Sequence, residues 1–211
     1  INRATPKTQA ALLEAMQEHS VTVAGETHQL SEPYFVLATQ NPMEQEGTYP
    51  LPEAQLDRFM LKIQVDFPSL EELGQIVGLT TRPQTCHAQA VANADTLLQM
   101  RAVAQDVPIA QAVQDFALRL VLATHPELQD SPELVQKCVR FGVSPRAAQA
   151  LIATARVRAL MHGRYNVAFE DIEAVAPACL RHRIALSFEG VAQGVTVEGV
   201  IDHLLKTLPR G

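Results

Sequence analysis

Apolar and polar positions change period several times along this chain, and each change predicts an element. In "KTQAALLEAMQEH" (7–19), Leu12, Leu13, Ala15 and Met16 share one helical face. Thr5-Pro6 precedes that run as N-cap and first helical position: a hydroxyl takes an orphan N–H, and proline's fixed φ suits the first turn. "SVTVAGETHQL" (20–30) shifts to alternation. Val21 and Val23 alternate, Gly25 supplies a turn, and His28 to Leu30 return, so a β-hairpin is predicted. "YFVLAT" (34–39) is continuously apolar, the pattern of a strand buried on both faces in a parallel sheet. Leu51 to Arg58 predicts a short helix with Pro52 in its first turn. "FMLKIQV" (59–65) alternates again as a further strand.

After Pro68 the pattern becomes helical. Ser69 with Glu72 makes a capping-box signature ahead of Leu73, Ile76 and Val77. "TRPQTCHAQA" (81–90) reads as a linker. Helices are predicted near 95–105, 110–124, 132–141, 145–162, 169–176 and 197–207. Ser131-Pro132 and Ser144-Pro145 repeat the cap-then-proline start, and Gly142 sits where a helix stop is wanted. The expected fold class is therefore α/β plus all-α: residues 1–67 as part of an α/β core with a hairpin insertion, and 68–211 as a helical bundle. Residues 1–67 carry too few strands for a whole sheet, so the strand 34–39 is expected to keep an open edge. The opening "INRATPKTQ" lacks an initiator Met and is expected to be cut from a longer chain.

Composition narrows the class. Across 211 residues, 47% hydrophobic with 19% charged describes a globular protein with real cores. Aromatics are 5% and Trp is absent while Ala and Leu recur, which favours helix-on-helix packing. A net charge of −6 argues against a broad basic surface for nucleic acid, though not against a local basic pore. Cys86, Cys138 and Cys179 form no C-x-x-C and are odd in number, which fits reduced thiols in a cytoplasm. The seven histidines have no H-x-x-x-H spacing, so no metal site is expected. No apolar run approaches the ~20 residues of a membrane span, and the amino terminus shows no signal-peptide pattern.

Three polar residues stand out. Asn41 follows "VLATQ", at the carboxyl end of an expected parallel strand, where open α/β sheets place ligands. Its amide could hold a water or touch a phosphate; the plainer reading, because turn asparagines are common, is an Asx turn ahead of Pro42. Arg58 offers a fixed fork of donors suited to phosphate oxygens, with a salt bridge to Asp57 or Glu53 as the plainer alternative. Arg146 lies in the first turn of a helix, where the positive end of the helix dipole disfavours a cation. Something outside the helix should compensate it, either a carboxylate or a phosphate. The surrounding segment 144–164 has no acid and carries Arg146, Arg156, Arg158 and Arg164, yet apolar residues cover most of its circumference. It reads as a central bundle helix first and a basic patch second.

"INRATPKTQAALLEAMQEHSVTVAGETHQL", "PYFVLATQNPMEQEGTYPLPEAQLDRF" and "GVSPRAAQAL" closely resemble the MoxR family of AAA+ ATPases. The likeness continues through "FEDIEAVAPACLRHRIALSFEGVAQGVTVEGVIDHLL" and so covers essentially the whole chain. The resemblance implies an ATP-driven ring, usually a hexamer, that remodels or matures partner proteins, often ones carrying von Willebrand factor A domains. It makes Asn41 the sensor 1 asparagine near the γ-phosphate and Arg58 the arginine finger acting on a neighbouring subunit. Arg146 becomes the sensor 2 arginine of the lid, and the hairpin around 21–30 the insertion that reaches toward the central channel.

Departures matter as much. No G-x-x-x-x-G-K-[ST] occurs in these residues, and the Asp-Glu pair expected to hold Mg²⁺ would come just before Ile1. The chain resembles the carboxyl-terminal part of such an ATPase, with ATP and Mg²⁺ as cofactors of the parent and neither expected to bind this part tightly. It is not expected to hydrolyse ATP alone. Other classes compatible with the sequence are a DNA-remodelling AAA+ relative, a metal-chelatase motor subunit, and an ATP-independent interaction module.

Overall fold

The computed structural model describes residues 1–41, 47–81 and 88–210. Helix α1 (Pro6–Glu18) starts as its sequence dictates: Thr5 is the N-cap, its side chain accepts from the Thr8 N–H, and Pro6 opens the helix. His19 closes it in the left-handed region and leads into the antiparallel hairpin β1 (Ser20–Val23) and β2 (Glu26–Gln29). Ala24 and Gly25 both take positive φ (53° and 87°), as a two-residue hairpin turn requires. A short α2 (Glu53–Leu56) follows, shorter than the predicted 51–58. Ser69 and Glu72 form the predicted reciprocal capping box at the start of α3 (Leu70–Thr80).

The helical portion continues through α4 (Ala94–Gln105), α5 (Gln111–Leu122), α6 (Glu133–Cys138), α7 (Pro145–Met161) and α8 (Phe169–Leu180). It closes with α9 (Phe188–Ala192) and α10 (Val197–Thr207). Between α6 and α7 runs β3 (Val139–Phe141), paired antiparallel with β4 (Ala185–Leu186). The core sits here. Phe116, Leu120, Leu151, Ile172, Leu180, Ile201 and Leu204 are fully buried. Ala147, Ala150, Ala155 and Ala159 line the buried face of α7 and let α5 and α8 pack closely against it. Helix α7 is thus the central helix that its apolar circumference predicted. Phe116 and Phe169 meet edge to face, with ring centroids 5.6 Å apart.

Four expectations are corrected. Residues 34–39 and 59–65 are not strands: among the described residues they join no ladder, and Phe35 (79%) and Leu37 (84%) stand exposed. Their patterns report faces suited to burial, but a strand also needs a neighbour, and the described residues supply none. The helix expected over 132–141 stops at Cys138 because the backbone turns extended at Val139 to pair with β4. Gly142 is therefore no helix stop; a Cβ there would lie 2.8 Å from the Thr124 carbonyl oxygen, so the position requires close approach instead. Ser131 also fails to cap α6 and donates to the His125 carbonyl, at 2.6 Å. Most of the linker expected at 81–90, with Cys86, lies outside the described residues; Cys138 and Cys179 are free, buried thiols.

Burial divides the chain unevenly. Among the described residues of 1–67, only Asn2, Gln9, Ala15, Ser20 and Leu51 are buried. No helix among the described residues is long and apolar enough to cross a membrane.

Candidate functional site

The chain from α2 into its following extended segment runs along the helical bundle, and a single carboxylate organises the junction. Asp57 caps the end of α2. Ser144, the N-cap of α7, shares its hydroxyl proton between both Asp57 carboxylate oxygens, each at 2.8 Å, while its oxygen accepts from the Arg146 N–H. Arg146 Nη1 donates to Asp57 Oδ2 at 3.0 Å, and Arg183 Nε donates to Oδ1 at 3.0 Å. Arg146 has therefore found the external anion that a cation at a helix start demands, and here it is a carboxylate. Its side chain stays 51% exposed, whereas that of Arg183 is 2% exposed.

Burial by itself would raise the Asp57 carboxyl. The hydrogen bonds from Ser144, Arg146 and Arg183, with the Arg183 charge, outweigh it and hold the group below its ordinary value. The carboxylate stays ionised, so it can anchor both arginines at once.

Arg183 lies in the turn after α8 together with His182. Its Nη2 donates to the carbonyls of Asp57 (3.0 Å) and Phe59 (2.7 Å), and its Nη1 to those of Met60 (3.2 Å) and Cys179. His182 Nε2 also meets the Phe59 carbonyl, at 2.8 Å. One step further, the Lys62 N–H donates to the Ala178 carbonyl at 2.9 Å, and Leu61 packs against the bundle core.

Arg58 takes a separate course. It is half-buried, and the Gln17 amide on α1, turned so that its oxygen faces the guanidinium, accepts from Nη1 at 2.6 Å and from Nη2. The salt bridge to Asp57 or Glu53 considered from sequence does not form; Asp57 is already occupied by Arg146 and Arg183. Asn41 is exposed, and its main chain pairs with the buried side chain of Asn2: Nδ2 donates to the Asn41 carbonyl at 2.9 Å. Asn2 also accepts the Tyr49 N–H through its own carbonyl, at 2.7 Å, which brackets the segment following Asn41. Pro42, the other half of the expected Asx turn, lies outside the described residues. The contacts thus bring Arg146 to the residue beside Arg58, while Asn41 belongs to a different set built on Asn2.

Comparison with known proteins matches this layout to its relatives. Residues 1–61 match the ATPase family associated with various cellular activities (AAA), and residues 132–204 match the AAA lid domain. The chain is 43% identical over 211 residues to the chaperone MoxR1 of Mycobacterium tuberculosis, covering 99% of this chain and 55% of that protein. It is 41% identical over 212 residues to the Bacillus subtilis protein YeaC, covering 99% of this chain and 62% of that one. A crystal structure from Cytophaga hutchinsonii, described as a candidate ATPase, superposes with a TM-score of 0.92 at 37% identity. That match covers 99% of this chain and 63% of the other. The chain belongs to the MoxR family of AAA+ ATPases.

Its fold is accordingly a partial AAA+ core followed by a helical lid, and it spans 55% and 62% of the length of these two curated relatives. The sequence reading of this MoxR-family chain missed Asp57, Ser144 and Arg183 as a connected set. The available signal was the triplet Arg181-His182-Arg183 directly after the apolar helix α8: cations in so apolar a setting need acceptors nearby.

His182 gives this junction a pH dependence. Burial, aided by the nearby Arg183 and Lys62 charges, lowers it from 6.5 to about 4, against the opposing hydrogen bond to Phe59. The unfolded chain therefore binds the proton first, and stability should be complete above pH 6.5 and decline as pH falls toward 4. The upper bound of that loss is about 3 kcal/mol. Thermal melts across this window should show the slope, and His182→Gln should flatten it; an unchanged slope in the variant would assign the effect elsewhere.

Proposed function

We propose that this chain is the sensing and lid portion of a MoxR-type AAA+ ATPase, a chaperone-like motor that couples ATP hydrolysis to remodelling of partner proteins. The observation that carries the reading is Arg146. A lid arginine at the start of α7 reaches across to Asp57, next to Arg58, and remains half exposed. In this reading residues 1–67 complete a nucleotide-binding α/β core and residues 68–211 form the lid. ATP and Mg²⁺ are held by a phosphate loop and an acidic pair carried elsewhere in the ATPase, since neither motif occurs in these residues.

Asn41 acts as sensor 1, Arg58 as an arginine finger in a ring, expected to be a hexamer, and Arg146 as sensor 2. Clients include proteins with von Willebrand factor A domains, and the motor works in the cytoplasm. Phosphoryl transfer rests on positioning and on charge stabilisation, and these three side chains supply both without covalent chemistry. Asn41 orients the attacking water, Arg58 stabilises charge developing on the transferred group, and Arg146 draws the lid onto nucleotide. Arg146 exchanges its Asp57 carboxylate for a phosphate oxygen when nucleotide arrives.

Asn41→Ala in the ATPase that contains this chain should lower turnover far more than ATP affinity, because the lost contact belongs to the transition state. Steady-state rates beside nucleotide titrations separate the two. Collapse of affinity at a normal rate per bound nucleotide would make Asn41 a binding residue instead. For Arg146→Ala, ATP-dependent closure should weaken while the lid melts normally; a nucleotide-bound structure that leaves Arg146 on Asp57 would refute its role as a sensor.

A further inference from the structure

The guanidinium of Arg183 has five N–H donors, and each one meets an acceptor. Four of the five go to residues 57–60: one to the Asp57 carboxylate and one each to the carbonyls of Asp57, Phe59 and Met60. The fifth ties back to Cys179 at the end of α8. Arg58 is the one cation inside the gripped segment, and the carbonyls held are those on either side of it. His182 adds a second donor to the Phe59 carbonyl, which uses both of that oxygen's lone pairs. One carboxylate would take at most two of these donors, and here the Asp57 carboxylate takes a single one. This one is shaped to a main-chain conformation, which is the use for which a rigid planar fork suits and a lysine does not.

We propose that Arg183 is a positioning residue for Arg58: it fixes the main chain on both sides of Arg58 and, through the shared Asp57 carboxylate, ties that segment to Arg146. The inference rests on the reading of Arg58 and Arg146 as nucleotide-facing residues. It adds that one subunit's lid sets the aim of the arginine it offers to its neighbour. Arg146 and Ser144 begin α7, Arg183 follows α8, and these two helices pack against each other. Movement of that pair is therefore transmitted to Arg58 through Asp57 and the three gripped carbonyls.

Arg183→Lys in the ring-forming ATPase tests this, because an ammonium keeps the charge but cannot reach all five acceptors. The kcat should fall by about 10–10²-fold, the cost of misplacing a reacting group by ~1 Å, with KM for ATP and lid melting retained. Mixed rings then locate the defect. Subunits lacking the phosphate-loop lysine can only donate Arg58, so they should rescue Arg58→Ala subunits when Arg183 is intact and fail when they also carry Arg183→Lys. Equal rescue by both donors would overturn the proposal while leaving Arg58 as the finger, as would a full rate for Arg183→Lys alone. A KM increase at unchanged kcat would also overturn it, making Arg183 a nucleotide-holding group. Full activity of Arg58→Ala itself would remove the underlying reading and the inference with it. Should Arg183→Lys fail to assemble, Asp57→Asn, which loosens the same clasp, takes its place in the same arms.

Discussion

Replacing Arg58 by alanine is expected to leave ATP binding and ring assembly intact while cutting turnover by ~10³–10⁵-fold, the range of an arginine finger supplied in trans. The local chemistry favours such a role. Arg58 rests on the neutral Gln17 amide, while the nearby carboxylate is taken by Arg146 and Arg183. Exchanging a neutral acceptor for an anionic phosphate oxygen adds the attraction of opposite charges to hydrogen bonds whose donor is already ionised. The exchange also leaves no carboxylate unpaired. Mixing provides a sharp readout: Arg58→Ala subunits keep a working nucleotide site, and subunits without the phosphate-loop lysine keep Arg58. Rings containing both should recover part of the activity that either lacks alone. No recovery in verified mixed rings would count against action in trans, and full activity of Arg58→Ala alone would reduce Arg58 to a structural contact of α1.

Legibility in this chain followed the range of the interactions. Helix starts at Thr5-Pro6, Ser69 with Glu72, and Ser144-Pro145 formed as predicted because each signal is complete within four residues. The β3–β4 pair was illegible, since β3 is three residues long and its partner lies beyond an entire helix pair. Residues 34–39 show the opposite failure: the apolar run states that a face wants burial, but not which strand should cover it. At the site, dipole physics alone showed that Arg146 needed an anion. It could not choose Asp57, which is 89 positions away. Arg183 was harder still, because its acceptors are mostly main-chain carbonyls, which every residue has and no composition reveals.

The lid itself hangs on one buried acid, and loss of that acid's main partner should have the largest effect on stability. Asp171 is 0% exposed and accepts from Arg164 through both oxygens, at 2.6 and 2.5 Å, with Arg158 a further 3.7 Å away. It also accepts the Ala168 N–H at 2.9 Å, closing the first turn of α8. The Arg164 hydrogen bonds outweigh burial and keep the carboxyl below its ordinary value, aided by Ala168 and the two arginine charges. Arg164→Ala removes the main partner and leaves the buried carboxylate only the Ala168 N–H and the more distant Arg158, so it should clearly destabilise the lid. Asp171→Asn should cost less, because Arg164 and Arg158 are each about one-third exposed and can turn to water. The double variant Arg164→Ala/Asp171→Asn should be more stable than Arg164→Ala alone, since no uncompensated charge is left inside. The native ion pair is also expected to fail in acid: its contribution is complete above the ordinary Asp value and disappears as pH falls through the lowered one. Denaturant titrations of the four proteins at neutral pH decide the matter. Additive losses in the double variant would mean that Asp171 and Arg164 stabilise the lid independently, and the ion pair would then not be what holds α8 to the end of α7.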